Sequence, residues 1–192
     1  MYARRPMRYA VVVPVKAFAL AKARLAPALD AEARATLARR MAEQVLRAAG
    51  ELPVTVACDD DDVAAWARAR GAAVAWTPGT DLNGAVTAAV EQLAAAGVDR
   101  VVVAHADLPR ATDLSPVAAV PAGAVLVPDR HRDGTNVLAV PAGAGFRFAY
   151  GPGSFDRHRA EADRLGLAVT VLEPDDLTLD IDDPDDLDHL CG

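Results

Sequence analysis

Val101-Val102-Val103-Ala104-His105-Ala106-Asp107-Leu108-Pro109 is an apolar, β-branched run that ends in a carboxylate and then a proline. A run that is apolar at every position suits a strand covered on both faces, and Pro109 stops it. Outward from this strand the chain alternates between strand-like and helix-like segments. Residues 10–15 read as a second buried strand, and Asp30 caps a helix rich in Ala, Arg and Leu that ends at Gly50. Residues 54–57 form a strand, 62–70 a helix and 73–76 a short strand, after which Leu82 or Asn83 opens a helix that runs to Ala96. Ser115-Pro116 starts a short helix, strands are expected near Ala124, Val137, Phe146 and Val169, and a last helix over 184–190. This order predicts an α/β three-layer sandwich, one domain over 1–192 with its core at about 9–190, whose sheet is mostly parallel with mixed later strands.

In such sheets ligands bind outside the carboxyl ends of the strands, which makes Asp107 the first candidate for chemistry. Alone it would read as the cap of a turn. A second acidic feature, Leu179-Asp180-Ile181-Asp182-Asp183-Pro184, alternates carboxylates with apolar residues before a proline that can open a helix. Extended spacing puts Asp180 and Asp182 on one side of the chain, with Asp182 or Asp183 available as an N-cap. With Asp107 they offer the hard oxygen ligands that Mg²⁺ prefers, the remaining positions going to water and substrate phosphates.

A third feature, Pro128-Asp129-Arg130-His131-Arg132-Asp133-Gly134-Thr135-Asn136, reads as a hairpin around Asp-Gly that carries a hydroxyl and an amide to the mouth of the sheet. Further on, Tyr150-Gly151-Pro152-Gly153-Ser154-Phe155 leads into a helix whose exposed amides would favour an anion, with Ser154 as the candidate N-cap. After the first strand, Lys16, Lys22 and Arg24 place three cations in one loop, able to neutralise a triphosphate. No glycines of a phosphate-cradling loop accompany them.

Taken in order, Pro14-Val15-Lys16, Ala21-Lys22-Ala23-Arg24-Leu25, His105-Ala106-Asp107-Leu108-Pro109, Asp133-Gly134-Thr135-Asn136, Gly151-Pro152-Gly153-Ser154 and Leu179-Asp180-Ile181-Asp182 resemble a known family. The chain is similar to the guanylyltransferases of deazaflavin coenzyme (coenzyme F-420) biosynthesis, in the molybdenum-cofactor-type nucleotidyltransferase superfamily. The resemblance implies a Rossmann-like domain that transfers GMP from GTP to a three-carbon phospho-acid and releases pyrophosphate. It implies metal ligation and catalysis by Asp107, Asp180 and Asp182, and phospho-acid contacts from Thr135, Gly151 and Ser154. It also implies GTP contacts from Lys16, Lys22 and Arg24, and base or ribose contacts from Asn83. The family tends to show a glycine before Leu-Asn where this chain has Asp81. Phosphoenolpyruvate is the expected acceptor, with 2-phospho-L-lactate and 3-phospho-D-glycerate as alternatives. A glycosyltransferase using Asp180-Ile181-Asp182 as an Asp-x-Asp motif, or a catalytically inactive nucleotide binder, are the more distant readings.

The chemistry suits a site rich in Asp, because an ionised substrate phosphate attacks without a nucleophilic side chain or a general base from the protein. The 192 residues, 52% hydrophobic, suffice for one sizeable core. A net charge of −7 argues against a nucleic-acid polymer as partner. Cys58 and Cys191 form neither a metal-ligand spacing nor a disulfide framework, so a reducing cytoplasm is expected. Arg4, Arg5 and Arg8 precede an apolar run too short for a signal peptide or a membrane span, and a homodimer is compatible with all of this.

Overall fold

Strand and helix alternate as the sequence pattern requires in a computed structural model that describes residues 5–191, the side chain of Cys191 excepted. Arg4 and the Cys191 thiol lie outside the described residues. The strands are β1 (Tyr9–Pro14), β2 (Val54–Cys58), β3 (Ala73–Trp76), β4 (Arg100–Ala104), β5 (Ala124–Pro128), β6 (Thr135–Pro141) and β7 (Val169–Val171). They form one sheet in the order β3-β2-β1-β4-β6-β5-β7, in which β6 alone runs against the rest. The helices are α1 (Ala31–Ala48), α2 (Asp61–Ala69), α3 (Leu82–Ala95), α4 (Ser115–Ala119) and α5 (Ser154–Arg164).

The continuous Val runs of β1 and β4 are buried because both sheet faces are covered. Val11, Val13 and Val102 pack with α1, α2 and α4, while Val12, Val101 and Val103 pack with α3 and α5. Each of the first three helices starts where a carboxylate caps it: Asp30 accepts from Ala33 N, Asp60 from Val63 N and Asp81 from Gly84 N, at 2.8 to 2.9 Å. Among the described residues no helix is long and apolar enough to cross a membrane.

The strand expected near Phe146 is not there. Residues 146–150 run outside any helix or ladder and bury Phe146, Phe148 and Tyr150 against the α3/α5 layer, so the alternation is real. Their backbone, however, pairs with side chains. Arg147 N donates to Glu161 Oε1, Ala149 N to His158 Nε2 and Tyr150 N to Asn83 Oδ1. Alternating burial reports a half-covered extended chain and does not say what satisfies its N–H groups.

After β1 the chain moves outward to β2 and β3, then returns to lay β4 on the other side of β1. The crevice beyond the carboxyl ends of β1 and β4 is therefore the switch point at which such sheets hold ligands.

Candidate active site

Asp107 stands three residues beyond the end of β4, and the chain's C-terminal segment is drawn across it. Ile181 N donates to Asp107 O at 3.3 Å. Leu179 and Ile181 are buried with Leu25 and Met41, which leaves Asp180 and Asp182 partly exposed beside Asp107. Burying Ile181 contributes about 2 kcal/mol to holding this segment in place. The N-cap expected from Asp182 or Asp183 is supplied from the opposite direction. Asp186 is 6% exposed. Its Oδ2 accepts from the N–H groups of Asp182 and Asp183 at 2.7 and 2.8 Å, and its Oδ1 pairs with Arg130. One carboxylate at the start of the final 3₁₀ helix, Pro184–Cys191, thus takes two orphan donors and leaves the Asp182 side chain free for the site.

Lys22 enters from the loop after β1. Its backbone is left-handed, with φ of 55°, an arrangement that costs a lysine about 1 kcal/mol and tends to occur at functional sites. Its ammonium donates to Asp107 Oδ2 at 2.6 Å and to Asp182 Oδ1 at 2.9 Å. Burial alone would lower the Lys22 pKa, but Asp107 and Asp182 outweigh it and hold the value above that of an ordinary lysine. Asp107 shows the converse: burial pushes its pKa up, and Lys22 and His105 bring it below the usual carboxylate range. Asp180 has no such partner. Burial, then the neighbouring Asp107 and Asp182, push it up to about 7.

Three carboxylates served by one ammonium remain short of positive charge. Asp107 Oδ1 is buried without a hydrogen-bond partner, so the donor set fits a hard divalent cation. No three Asp, Glu, His or Cys side chains among the described residues converge tightly enough to cage an ion alone. That pattern suits Mg²⁺, which takes one or two carboxylates and fills its shell from water and phosphates.

Beside this cluster is a cavity of about 160 Å³ lined by Lys16, Phe18, Lys22, Leu82, His105 and Asp107. A smaller one of about 40 Å³, lined by Lys16, Asp59, Thr77 and Asp81, continues it toward β2 and β3. Lys16 borders both. The other expected nucleotide contacts are placed differently. Arg24 lies exposed on a 3₁₀ turn and lines neither cavity. Asn83 spends both ends of its amide on the backbone of Tyr150, accepting at 2.6 Å and donating at 3.4 Å, so it is a brace for the extended segment. Asp81, standing where the family tends to have glycine, caps α3.

The residues expected at the phospho-acid cluster on the other side. His105 N donates to Asn136 O, which sets the start of β6 against the end of β4. Val127 faces Val137 but Pro128 faces Thr135, so Asn136 is an extra, bulged residue. The bulge resets the alternation, so that Thr135 and not Asn136 faces α5. Asn136 Nδ2 donates to Leu177 O and anchors the segment leading to Asp180, while Thr135 Oγ1 meets His158 Nδ1 of α5 at 3.0 Å. Thr135 is 1% exposed and Asn136 2%, so neither is an open polar group at the mouth of the sheet.

The turn before them is built around Asp129, whose carboxylate accepts from the N–H groups of His131, Asp133 and Gly134. Gly134 is needed for room, since a Cβ there would lie 2.7 Å from Asp129 Oδ2.

Three amides of the glycine loop are already taken within the protein. Gly153 N donates to Asp133 Oδ2, Ser154 N to Gly151 O and Phe155 N to Asp133 O. Gly153, at φ of 71°, is the N-cap, and Ser154 is the buried first residue of α5. The Arg157 guanidinium donates to the carbonyls of Ala149, Gly151 and Pro152 and laces the loop shut. Sequence reasoning missed Arg157, Asp129, Asp186 and His158, each of which acts through backbone groups or through another side chain.

His158 is fully buried. Burial, and to a smaller extent His105 and Arg157, lower its pKa to about 4, with Glu161 opposing. Between that value and the ordinary histidine value near 6.5 the unfolded chain binds a proton that the native chain does not. Stability should therefore fall by up to about 3 kcal/mol as pH drops through that window, and be flat with respect to this group above it. Urea denaturation of the native protein and of His158→Phe at pH 7.0 and 4.5 checks this: the variant should show a smaller loss, and an equal loss would place the titration elsewhere.

A family model described as "Guanylyl transferase CofC like" matches residues 9–191. The chain is 36% identical over 94% of its length to a phosphoenolpyruvate guanylyltransferase of Sphaerobacter thermophilus, 91% of which is covered. It is 33% identical over 96% of its length to a 2-phospho-L-lactate guanylyltransferase of Methanothermobacter thermautotrophicus, 84% of which is covered. Among solved structures, a 4-diphosphocytidyl-2C-methyl-D-erythritol synthase superposes with a TM-score of 0.66 at 13% identity, covering 97% of both chains, which shows a shared fold. With the strand order, the aspartates at the switch point and a match from β1 to the final turn, the chain belongs to the CofC-like guanylyl transferase family.

Proposed function

We propose that this enzyme transfers GMP from GTP to phosphoenolpyruvate, giving enolpyruvoyl-2-diphospho-5'-guanosine and pyrophosphate, with Mg²⁺ as cofactor. The observation that carries the reading is the meeting of Asp107, Asp180 and Asp182 at the switch point, with an ammonium between two of them and a second lysine on the adjoining cavity wall. A phosphate oxygen of the acceptor attacks the α-phosphorus of GTP, a P–O bond forms, and the bond to the β-phosphate oxygen breaks with its electrons leaving on pyrophosphate. Mg²⁺ held by Asp107, Asp180 and Asp182 would stabilise charge developing on the α-phosphate. Lys16 and Lys22 offer positive charge to the departing pyrophosphate, and Ile181 and Asp186 keep the acidic segment from moving away as charge shifts. No protein base is required, since the attacking phosphate is already ionised at neutral pH.

Thr135, Gly151 and Ser154 are the residues proposed to meet the phospho-acid. The relative named for 2-phospho-L-lactate makes that acid the second acceptor to offer, and 3-phospho-D-glycerate the third. The expected result is pyrophosphate release from GTP and Mg²⁺ with phosphoenolpyruvate, the product mass confirming a guanylylated acid. Release with one of the other two acids alone reassigns the acceptor and keeps the reaction class. Folded, GTP-binding protein that releases pyrophosphate with none of the three overturns the proposal.

A further inference from the structure

We infer that Asp59 and Asp81 read the base of the donor nucleotide, their carboxylates accepting from N1–H and the 2-amino group of guanine. The inference rests on the reading that GTP is the donor. It gives the base a place that Asn83 does not supply, since both ends of the Asn83 amide are spent on the backbone of Tyr150. The cavity beside Lys22 and Asp107 and the smaller cleft toward β2 and β3 have Pro14, Val15, Lys16 and Leu82 as common walls. A nucleotide whose phosphates lie by Lys22 can therefore run past Lys16 and bring its base to the cleft. Asp59, Thr80 and Asp81 line that cleft and are exposed, so the edge of a flat base reaches them without any opening of the core. Leu82, half-buried, offers an apolar surface to the face of the ring.

The polar groups of the cleft are acceptors. Thr77 Oγ1 donates to Cys58 O at 3.3 Å and Thr80 Oγ1 to Thr77 O at 2.8 Å, so both hydroxyl protons are spent on the backbone and lone pairs remain. Asp81 Oδ1 accepts from Gly84 N at 2.8 Å, a cap that fixes the carboxylate, while Oδ2 has no hydrogen-bond partner among the described residues. Asp59 has neither a hydrogen bond nor an ion pair among the described residues, the capping of α2 falling to its neighbour Asp60. Lys16 is the one cation on the lining. Two uncompensated carboxylates beside a triphosphate oppose the binding of any nucleotide unless the base repays them. Guanine does so, because its N1–H and 2-amino group put donors along one edge, and bonds to a charged acceptor are the stronger kind. Adenine sets the lone pair of a bare N1 against the same carboxylates and leaves them unpaired, which is how a hydrogen-bonding site rejects the wrong ligand.

The test is the binding of GTP, inosine triphosphate and ATP, each with Mg²⁺ and without acceptor, measured by isothermal titration calorimetry. It is run on native protein and on the double variant carrying Asp59→Asn and Asp81→Asn. Asparagine caps a helix about as well as aspartate, and Asp59 has no partner to lose, so the variant keeps its fold, which circular dichroism checks. Native protein should bind GTP about tenfold more tightly than inosine triphosphate, which lacks only the 2-amino group, and about a hundredfold or more tightly than ATP. In the variant the Kd for GTP should rise about tenfold or more, and the preference over inosine triphosphate should shrink to within about threefold. Bulk electrostatics alone predicts the opposite sign, since removing two negative charges near a triphosphate tightens the binding of all three nucleotides. A folded variant that binds GTP as tightly as native protein or more so, or that keeps the native preference, would overturn the inference and leave the donor assignment standing. Equal affinity of native protein for GTP and inosine triphosphate would overturn it too. Native protein that binds ATP as tightly as GTP would instead overturn the reading that GTP is the donor.

Discussion

Asp107→Asn should lower kcat for GMP transfer by about a thousandfold or more while leaving the fold in place. The substitution keeps volume and shape and removes one charge at the carboxyl end of β4. Asp107 Oδ2 already receives the Lys22 ammonium, and the asparagine carbonyl can take over that bond. Its amide then falls where Oδ1 now lies buried without a partner. The fold therefore loses part of one ion pair, and Lys22 keeps Asp182. The reaction loses more. A cation at the α-phosphate supplies several kcal/mol of charge stabilisation, and about 4 kcal/mol is about a factor of a thousand in rate. Asp180→Asn should behave alike, since an amide resembles the protonated acid that Asp180 tends to be while its neighbours stay uncompensated. Pyrophosphate release at saturating GTP, acceptor and Mg²⁺, with circular dichroism as the check on folding, measures both. A folded variant of either kind within tenfold of the native rate would remove that residue from the reacting centre.

The parts of this site that were legible in the sequence are those whose signal is local. Asp107 follows a fully apolar strand, and Asp180 and Asp182 alternate with Leu179 and Ile181, so burial of the apolar residues dictates where the carboxylates go. The mostly parallel sheet with mixed later strands follows from the same kind of evidence, whereas the strand order is seen only in the structure. What was not legible depends on partners far away in the chain. Lys22 reads as one of three loop cations, and nothing near it announces an ion pair with residues 85 and 160 positions away. Arg24, two residues on, has the same charge but is exposed and lines neither cavity. His158 lies on an ordinary amphipathic helix, and only the bulge at Asn136, which no composition signals, turns Thr135 toward it. The strand expected near Phe146 has a physical reason for its absence. Periodicity reports which side of the chain is buried, and the hydrogen-bond partner of an extended backbone can be a side chain from a helix.

Lys22→Met should have the second large effect, and it separates the ammonium's two roles. Methionine keeps most of the apolar stem and removes the charge. Lys22 is the one cation hydrogen-bonded to both Asp107 and Asp182 among the described residues, and its side chain is only 10% exposed. Asp107 is left partly buried and uncompensated, for which about 3 kcal/mol is an upper figure, reduced because the Asp182 side chain is 49% exposed. The sign of the linkage bounds the pH range. Asp107 has a lowered pKa and contributes above the ordinary carboxylate value, losing that contribution as pH falls below it. Lys22 has a raised pKa and contributes below the ordinary lysine value, losing it as pH rises beyond. Asp180 titrates near 7 beside both, so the destabilisation should be constant only between about pH 8 and 10, where all three carboxylates are ionised. Within that window the variant offers three carboxylates and no internal cation, so millimolar Mn²⁺ should restore much of its melting temperature in the absence of nucleotide. Native protein, whose ammonium competes for the same oxygens, should respond to Mn²⁺ strongly only once GTP brings its phosphates and draws Lys22 toward them. The kcat/KM for GTP should fall about a hundredfold in the variant even with Mn²⁺ present, because the phosphates lose a charge that the ion does not replace. Differential scanning fluorimetry with and without Mn²⁺, run on both proteins, decides the matter: equal responses would mean that the ammonium does not occupy the position a divalent ion shares between Asp107 and Asp182.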